Sequence, residues 1–323
     1  MFLTLKDGAV FEGKCLGSVQ ETAGFLSIYT GGFGYEEVIT NPANTGKIML
    51  FTFPIIGATG INREDNESDV VCPAGIICKE YSRTMSNFRA KETLLDFVDK
   101  ADVAFGEGFD TRAILVHLRE KGEQMAVLSE KKLTAAELKK RLKAFEVDYT
   151  PVMKPLKVKS PAMTAAVLDL GAGKSFFSML ADSGIAVAGE GKPFDVLIVS
   201  NAPAFLADSD EVLESIRGAA GGKPVVGFGD GAALAAAAAG YRIKSLGLGH
   251  HGTNIPVKPG TSRKNLITSQ NHCYVVEEQK GIRITAANLH DKSPEAFVSE
   301  DGMVMGFCYK PQDLVSAIKT REE

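Results

Sequence analysis

The stretch KPVVGFGDGAALAAAAAG, residues 223–240, constrains this chain more than any other. A short apolar run suited to a buried strand ends in G-x-x-x-G and passes at once into a helix-forming run. That is the pattern of a strand–elbow–helix turn, in which the central residue sits at strained backbone angles with little room around it. Such an elbow normally presents serine or cysteine as a nucleophile. Here its centre is Gly229, which has no side chain to attack with. The following run, residues 232–239, has seven alanines in eight positions. Alanine favours helix, and its small side chain allows close packing on a sheet.

The surroundings of the elbow agree with it. Strands are expected at 165–170, 185–188, 195–200 and 224–228, with helices at 174–182 and 210–219 between them. Alternation of this kind predicts an α/β fold, a mostly parallel sheet covered by helices. Further strands are expected at 265–270, 274–277, 282–286, 296–298 and 303–309, and a last helix after Pro311. The first 150 residues read differently. Strand-like runs at 1–5, 10–16, 25–29, 47–53 and 75–81 precede three helices at 91–100, 111–121 and 135–145. Asp110 is a suitable N-cap for the second helix, and Thr134 with Glu137 forms a capping-box pattern for the third. Three prolines between residues 147 and 162 mark a linker. The expected organisation is therefore a domain at 1–150, a linker at 151–162 and a second domain at 163–323.

Composition removes several classes. With 45% hydrophobic and 24% charged residues, the chain can bury real cores. A net charge of −4 gives no general field for phosphate, so no nucleic-acid partner is expected. No apolar run nears the roughly 20 residues of a membrane helix, and the N-terminus lacks a secretory pattern. The expectation is a cytoplasmic protein without a membrane partner. Five cysteines, an odd number with no C-x-x-C pair, suit reduced thiols and not a disulfide frame or structural zinc site.

A resemblance emerges from the ordered set of segments along both halves. LKDGAVFEG, TGGFGYEEVITNPANTGKI, FPIIGATGIN, SNFRAKETLLDF and FDTRAILVHLREKG lie in the first domain. VLDLGAGKS, VSNAPA, the elbow itself, LGHHGTNIPV, ITSQNHCYVV and NLHDKSPEAF lie in the second. The chain resembles the small, glutaminase chain of carbamoyl-phosphate synthetase over essentially its whole length. The resemblance implies a swivelling β/β/α-type N-terminal domain followed by a flavodoxin-like α/β class I glutamine amidotransferase domain.

It also implies where glutaminase chemistry would stand. The family elbow G-I-C-L-G-H-Q is here Gly227, Phe228, Gly229, Asp230, Gly231, Ala232 and Ala233, so the cysteine position is Gly229. The family's F-H-P-E is here Phe307, Cys308, Tyr309 and Lys310, so base and orienting acid have become Cys308 and Lys310. No intact catalytic residue is expected. Amide hydrolysis by this route needs a thiolate, an imidazole and a carboxylate to hold it. The loop S-N-G-P-G is here Ser200, Asn201, Ala202, Pro203 and Ala204, with methyl groups where close backbone approach was needed. The positions that grip glutamine in the family map to Gly31, Asp230, Ala233, Asn271, Cys273 and Tyr274, and of these only Asn271 keeps the family residue. Asp230 would set a carboxylate against the carboxylate of glutamine.

The resulting expectation is a small-chain homologue without glutaminase activity. It would dock on a large synthetase chain, forming a heteromer that makes carbamoyl phosphate from ammonia for arginine or pyrimidine synthesis. The alternative is a stand-alone binding or regulatory module whose vacated pocket holds another small molecule. A third possibility is new thiol chemistry around Asp230, Cys273, His272 or Cys308. There is no G-x-x-x-x-G-K-[ST] loop, and no cofactor is expected. His250, His251 and His272 fall in GHHGTN and SQNH, which read as loops. Adjacent histidines on a loop rarely share one ion, so no metal is expected.

Overall fold

The computed structural model describes residues 1–19, 21–147, 151–260, 264–311 and 313–319. The chain forms two compact units, Met1–Val152 and Met153–Glu323. Of the residues read as a linker, 148–150 lie outside the described ones, and 151–162 carry no helix or strand.

The first unit is built on a mixed sheet. Its middle runs parallel through Thr22–Tyr29, Lys47–Phe51, Gly75–Ile77 and Ala104–Glu107. Gln124–Ser129 and Phe2–Leu5 extend it antiparallel. Lys47–Phe51 is buried at every position, and Lys47 reconciles its ammonium with that burial by donating to Asn44 Oδ1 at 3.1 Å. Helix Thr111–Lys121 begins where Asp110 accepts the Ala113 N–H, and it buries Ile114 and Leu118 at helical spacing. Helix Ala135–Lys143 opens on a complete Thr134–Glu137 capping box.

Several sequence expectations shift here. The run at 10–16 breaks at Gly13 into Val10–Glu12 and Lys14–Cys15. A side chain at Gly13 would collide with the Phe109 ring. The helix expected from 91 begins at Leu94, because the Thr93 hydroxyl accepts the Asp96 N–H at 3.0 Å. Strands Ala104–Glu107 and Gln124–Ser129 lie among the helices, so the unit interleaves both instead of placing strands first.

The second unit holds a long sheet with two characters. Ile185–Val187, Met163–Leu168, Val196–Val199, Val225–Phe228 and Val304–Phe307 are parallel in that spatial order. Beyond them Pro294–Ser299, Ile282–Asn288, Ile243–Pro259 and Leu266–Val276 pair antiparallel. The parallel expectation therefore holds for one half of the sheet only. The 17-residue strand Ile243–Pro259 is hidden in the sequence by its polar, glycine-rich composition. Its two register shifts against Leu266–Val276 interrupt the alternation that would have revealed it. The segments expected at 265–270 and 274–277 are one strand, Leu266–Val276. Asn271 and His272 pair with His251 and His250, so these residues lie on strands and not loops.

The alanine helix, Asp230–Ala238, is buried along most of its length. Small side chains let it lie close to the sheet: Gly306, on the strand beneath, has no room for a side chain because the Phe297 ring and the Ala232 methyl occupy that space. Phe228 stacks on Phe307 at 5.9 Å between centroids and meets Phe176 edge-on at 5.7 Å, forming the aromatic part of the core. Among the described residues, no helix is long and apolar enough to cross a membrane.

Candidate functional site

The elbow forms as its sequence dictates. Strand Val225–Phe228 ends, Gly229 takes φ 57° and ψ −129°, and helix Asp230–Ala238 starts at the next residue. The Gly229 N–H is donated to the Phe307 carbonyl at 2.9 Å, which ties the turn to the neighbouring strand. Gly231 is needed for a different reason: a side chain there would strike the Ser200 carbonyl.

The place of a side chain at Gly229 is filled by the Asn201 carboxamide, which a Cβ would overlap. Asn201 Oδ1 accepts the N–H of Ala202 and the N–H of Asp230, each at 2.9 Å. Its Nδ2 donates to the Asn271 carbonyl at 2.8 Å. The two N–H groups it occupies are those of the residue after the elbow centre and of a neighbouring loop. In an acyl-transfer elbow, a donor pair of this kind stabilises the oxyanion.

Asp230 is 2% exposed. Its Oδ1 accepts the backbone N–H groups of Cys273 and Tyr274, both at 2.8 Å. The carboxylate also lies in the first turn of its own helix, where the dipole favours negative charge. Asp230, Cys273 and Tyr274 therefore converge through direct bonds, and Asn201 ties Asp230 to Asn271. Ala202 and Ala204 are buried on the loop that carries Asn201, and Ala233 is buried on the helix that follows the elbow. Gly31 belongs to the first unit, where a side chain would run into the Tyr29 ring.

Cys308 directly follows strand Val304–Phe307, and the Cys308 N–H is donated to the Glu295 carbonyl at 2.8 Å. Burial, with the nearby charges of Glu295 and Asp230, pushes its thiol well above the usual cysteine range. It cannot act as a base near neutrality. Burial likewise pushes Tyr309 up to about 12. Lys310 is exposed and donates to the Ser175 carbonyl at 3.0 Å. So Gly229, Cys308 and Lys310 present no nucleophile, no imidazole and no carboxylate.

Other residues come together that the sequence did not join. Cys273 Sγ lies 3.5 Å from His251 Nε2, and His251 Nδ1 lies 2.7 Å from Asn271 Oδ1. The thiol's partner is thus His251 and not His272. Its own N–H is engaged by Asp230, so the nearest amide does not serve a substrate oxygen. His272 faces a separate buried group with His250, Gln270 and Glu295. Burial drives His272 down to about 3. For His250, burial is outweighed by Glu295 and Asp291, which raise its pKa. Asn201, Gln270 and Glu295 stand within the segments VSNAPA, ITSQNHCYVV and NLHDKSPEAF, but only the folded sheet shows what they touch.

Comparison with known proteins places this geometry. Residues 166–313, which carry the elbow, match the family described as glutamine amidotransferase class-I. Residues 3–128 match the carbamoyl-phosphate synthase small chain, CPSase domain. The carbamoyl phosphate synthase small chain of Caldanaerobacter subterraneus subsp. tengcongensis is 32% identical over 96% of this chain and 90% of its own length. That of Archaeoglobus fulgidus is 31% identical over 96% and 92%. Among solved structures, a glutamine amidotransferase from Thermotoga maritima is similar at TM-score 0.35 and 12% identity, over 49% of this chain and 79% of that one. The second unit is thus a class I glutamine amidotransferase domain. The chain as a whole belongs to the carbamoyl-phosphate synthase small-chain family.

Proposed function

We propose that this family member has no glutaminase activity, docks on a large synthetase chain and supports carbamoyl phosphate formation from ammonia, in arginine or pyrimidine synthesis. The observation that carries the loss of activity is the Asn201 carboxamide, seated over Gly229 on the Ala202 and Asp230 N–H groups. The missing cysteine alone would leave an empty oxyanion site. In this chain the same donors are already satisfied, and an incoming carbonyl would have to displace a neutral amide that makes three hydrogen bonds. Asp230 does the same at the other end. Its carboxylate takes two amides at positions that, by resemblance, grip glutamine. The two side chains together imitate the polar ends of the missing substrate. The docking role rests on the full-length family match.

The alternative, a vacated pocket that holds another small molecule, is weakened by the same contacts, because these subsites are filled from within. The test is carbamoyl phosphate formation by this chain mixed with a large synthetase chain, with glutamine and ammonia supplied separately. Activity with ammonia alone supports the reading. Equal activity with glutamine overturns the loss of glutaminase, and failure to form any complex overturns the docking role.

A further inference from the structure

In the antiparallel half of the second unit, four side chains turn electron pairs toward one point. His250 sits on strand Ile243–Pro259, Gln270 and His272 on Leu266–Val276, and Glu295 on Pro294–Ser299. His272 and Glu295 are fully buried. Hydrogen-bond roles are fixed from outside the group. The Tyr274 carbonyl, 3.1 Å from His272 Nδ1, can only accept, so that nitrogen carries the proton of the neutral ring. The Asp291 carboxylate, 3.0 Å from His250 Nε2, likewise takes the proton of that nitrogen and leaves Nδ1 facing the group. Thr268 donates its hydroxyl to the Ile255 carbonyl and so accepts from Gln270 Nε2. The same amide nitrogen donates to Glu295 Oε2 at 2.7 Å. Gln270 Oε1 therefore points at the rings.

With both rings neutral the inward atoms are acceptors facing acceptors, and a positive charge within the group, a second proton on His250 or a bound cation, relieves this. Gln270 Oε1 lies 3.0 Å from His272 Nε2 and 3.2 Å from His250 Nδ1. Glu295 Oε1 lies 3.3 Å from His250 Nδ1, and Oε2 lies 3.9 Å from His272 Nε2. Asn288 Nδ2 donates to Glu295 Oε1 at 2.7 Å and comes only to 3.4 Å of His250 Nδ1. Lone pairs opposed at hydrogen-bond distance in a buried site are costly unless a positive centre lies between them.

We propose that His250, His272, Glu295 and Gln270 form a binding site for a divalent transition-metal ion of the zinc class. Two imidazoles and a carboxylate are a common zinc donor set, and bonds of about 2.0–2.1 Å in a tetrahedron separate ligand atoms by about 3.3 Å. The four separations above scatter around that value. The outward contacts complete the pattern, since metal-bound histidines typically donate their other N–H to a carboxylate or backbone carbonyl. Here those partners are Asp291 and Tyr274. His250 and His251 are neighbours on a strand, so they point to opposite faces and only His250 joins the site. This is why the adjacent pair gives no chelate when read in sequence alone.

The test uses the full chain, stripped with a chelator and titrated with zinc(II) by calorimetry and with cobalt(II) by absorption. One equivalent should bind, and cobalt should give intense tetrahedral d–d bands without a thiolate charge-transfer band. His272→Asn should abolish binding. Asp291→Asn leaves every ligand in place at a partly exposed position and guards against a misfolded His272 variant; it should weaken affinity about 10–100-fold. Cys273→Ser should change nothing. Absence of stoichiometric binding overturns the proposal. So does an affinity left unchanged by both His272→Asn and Asp291→Asn, or cobalt bands that vanish in Cys273→Ser.

Discussion

The two halves of the second unit's sheet treat polar chemistry in opposite ways. At the parallel half, around the elbow, the side chains at Gly229, Ala202, Ala204 and Ala233 are small or absent, and the polar groups present are spent on one another. Asn201 saturates two amides, and Asp230 saturates two more. At the antiparallel half, His250, Gln270, His272 and Glu295 keep four heteroatoms pointed inward, with acceptors opposed. The contrast teaches that the absence of a nucleophile and the filling of the space around it are different things. Around Gly229 the cavity has been closed from within. Around Glu295 the polar groups stay gathered on one another, the arrangement on which the proposed metal site rests.

The largest effect should come from trying to supply the absent nucleophile. Gly229→Cys restores a thiol, yet its Cβ falls on the Asn201 carboxamide and no histidine stands at position 308. Ammonia release from glutamine should stay at the no-protein background for the native chain and for Gly229→Cys alike. Substantial hydrolysis by Gly229→Cys would falsify the view that Asn201 closes the site. The same substitution should destabilise the second unit by about 1–3 kcal/mol from its backbone angles alone, which denaturant unfolding would register.

The comparison also explains what the sequence disclosed. The elbow, the helix Lys174–Asp182 and the caps at Asp110 and Thr134 are legible because each is a local rule: a glycine pattern, an apolar period, a short polar side chain before a helix. Strand Ile243–Pro259 is not, because its register shifts and polar residues break the two-residue period. At the site, Gly229, Cys308 and Lys310 can be compared by residue type with the pattern the resemblance implies. The filling of the oxyanion donors cannot. Asn201 keeps the residue type expected at its position, so its seat on these donors is visible only in the fold. Glu295 gives no signal within NLHDKSPEAF because its partners lie 25 and 7 residues away, on other strands.

A second prediction sharpens the contrast at the elbow. Asn201→Ala removes three hydrogen bonds and leaves the Ala202 and Asp230 N–H groups unsatisfied in a buried place. Thermal or denaturant unfolding should show a loss of about 1–3 kcal/mol. Restoration of much of that loss by a small anion or carboxamide would show that the oxyanion site reopens when its plug is removed. A variant as stable as the native chain would break the idea that these bonds hold the elbow.

In the first unit, substitutions away from these two clusters should act through ordinary local terms. Thr134→Ala removes a cap that accepts from the Glu137 N–H, and it should cost about 1 kcal/mol. A loss of several kcal/mol would mean that helix Ala135–Lys143 carries more of the unit than its single buried residue, Leu138, suggests.

The smallest effect is electrostatic. Glu92 is bonded by Lys100 and Arg63, and these contacts, with Lys100 the stronger cause, hold its pKa below the ordinary glutamate value despite some burial. A folded pKa below the unfolded one means that the unfolded chain takes up the proton first as pH falls. The contribution is therefore present above the ordinary glutamate pKa of 4.5 and is lost progressively as pH drops through the lower, folded value. Both cationic partners are largely exposed, so salt should weaken it further. Unfolding of the native chain and of Glu92→Gln, compared between neutral and acid pH, should show a stability gap that narrows as pH falls. A gap that widens instead would mean that Glu92 is held by burial and not by its ion pairs.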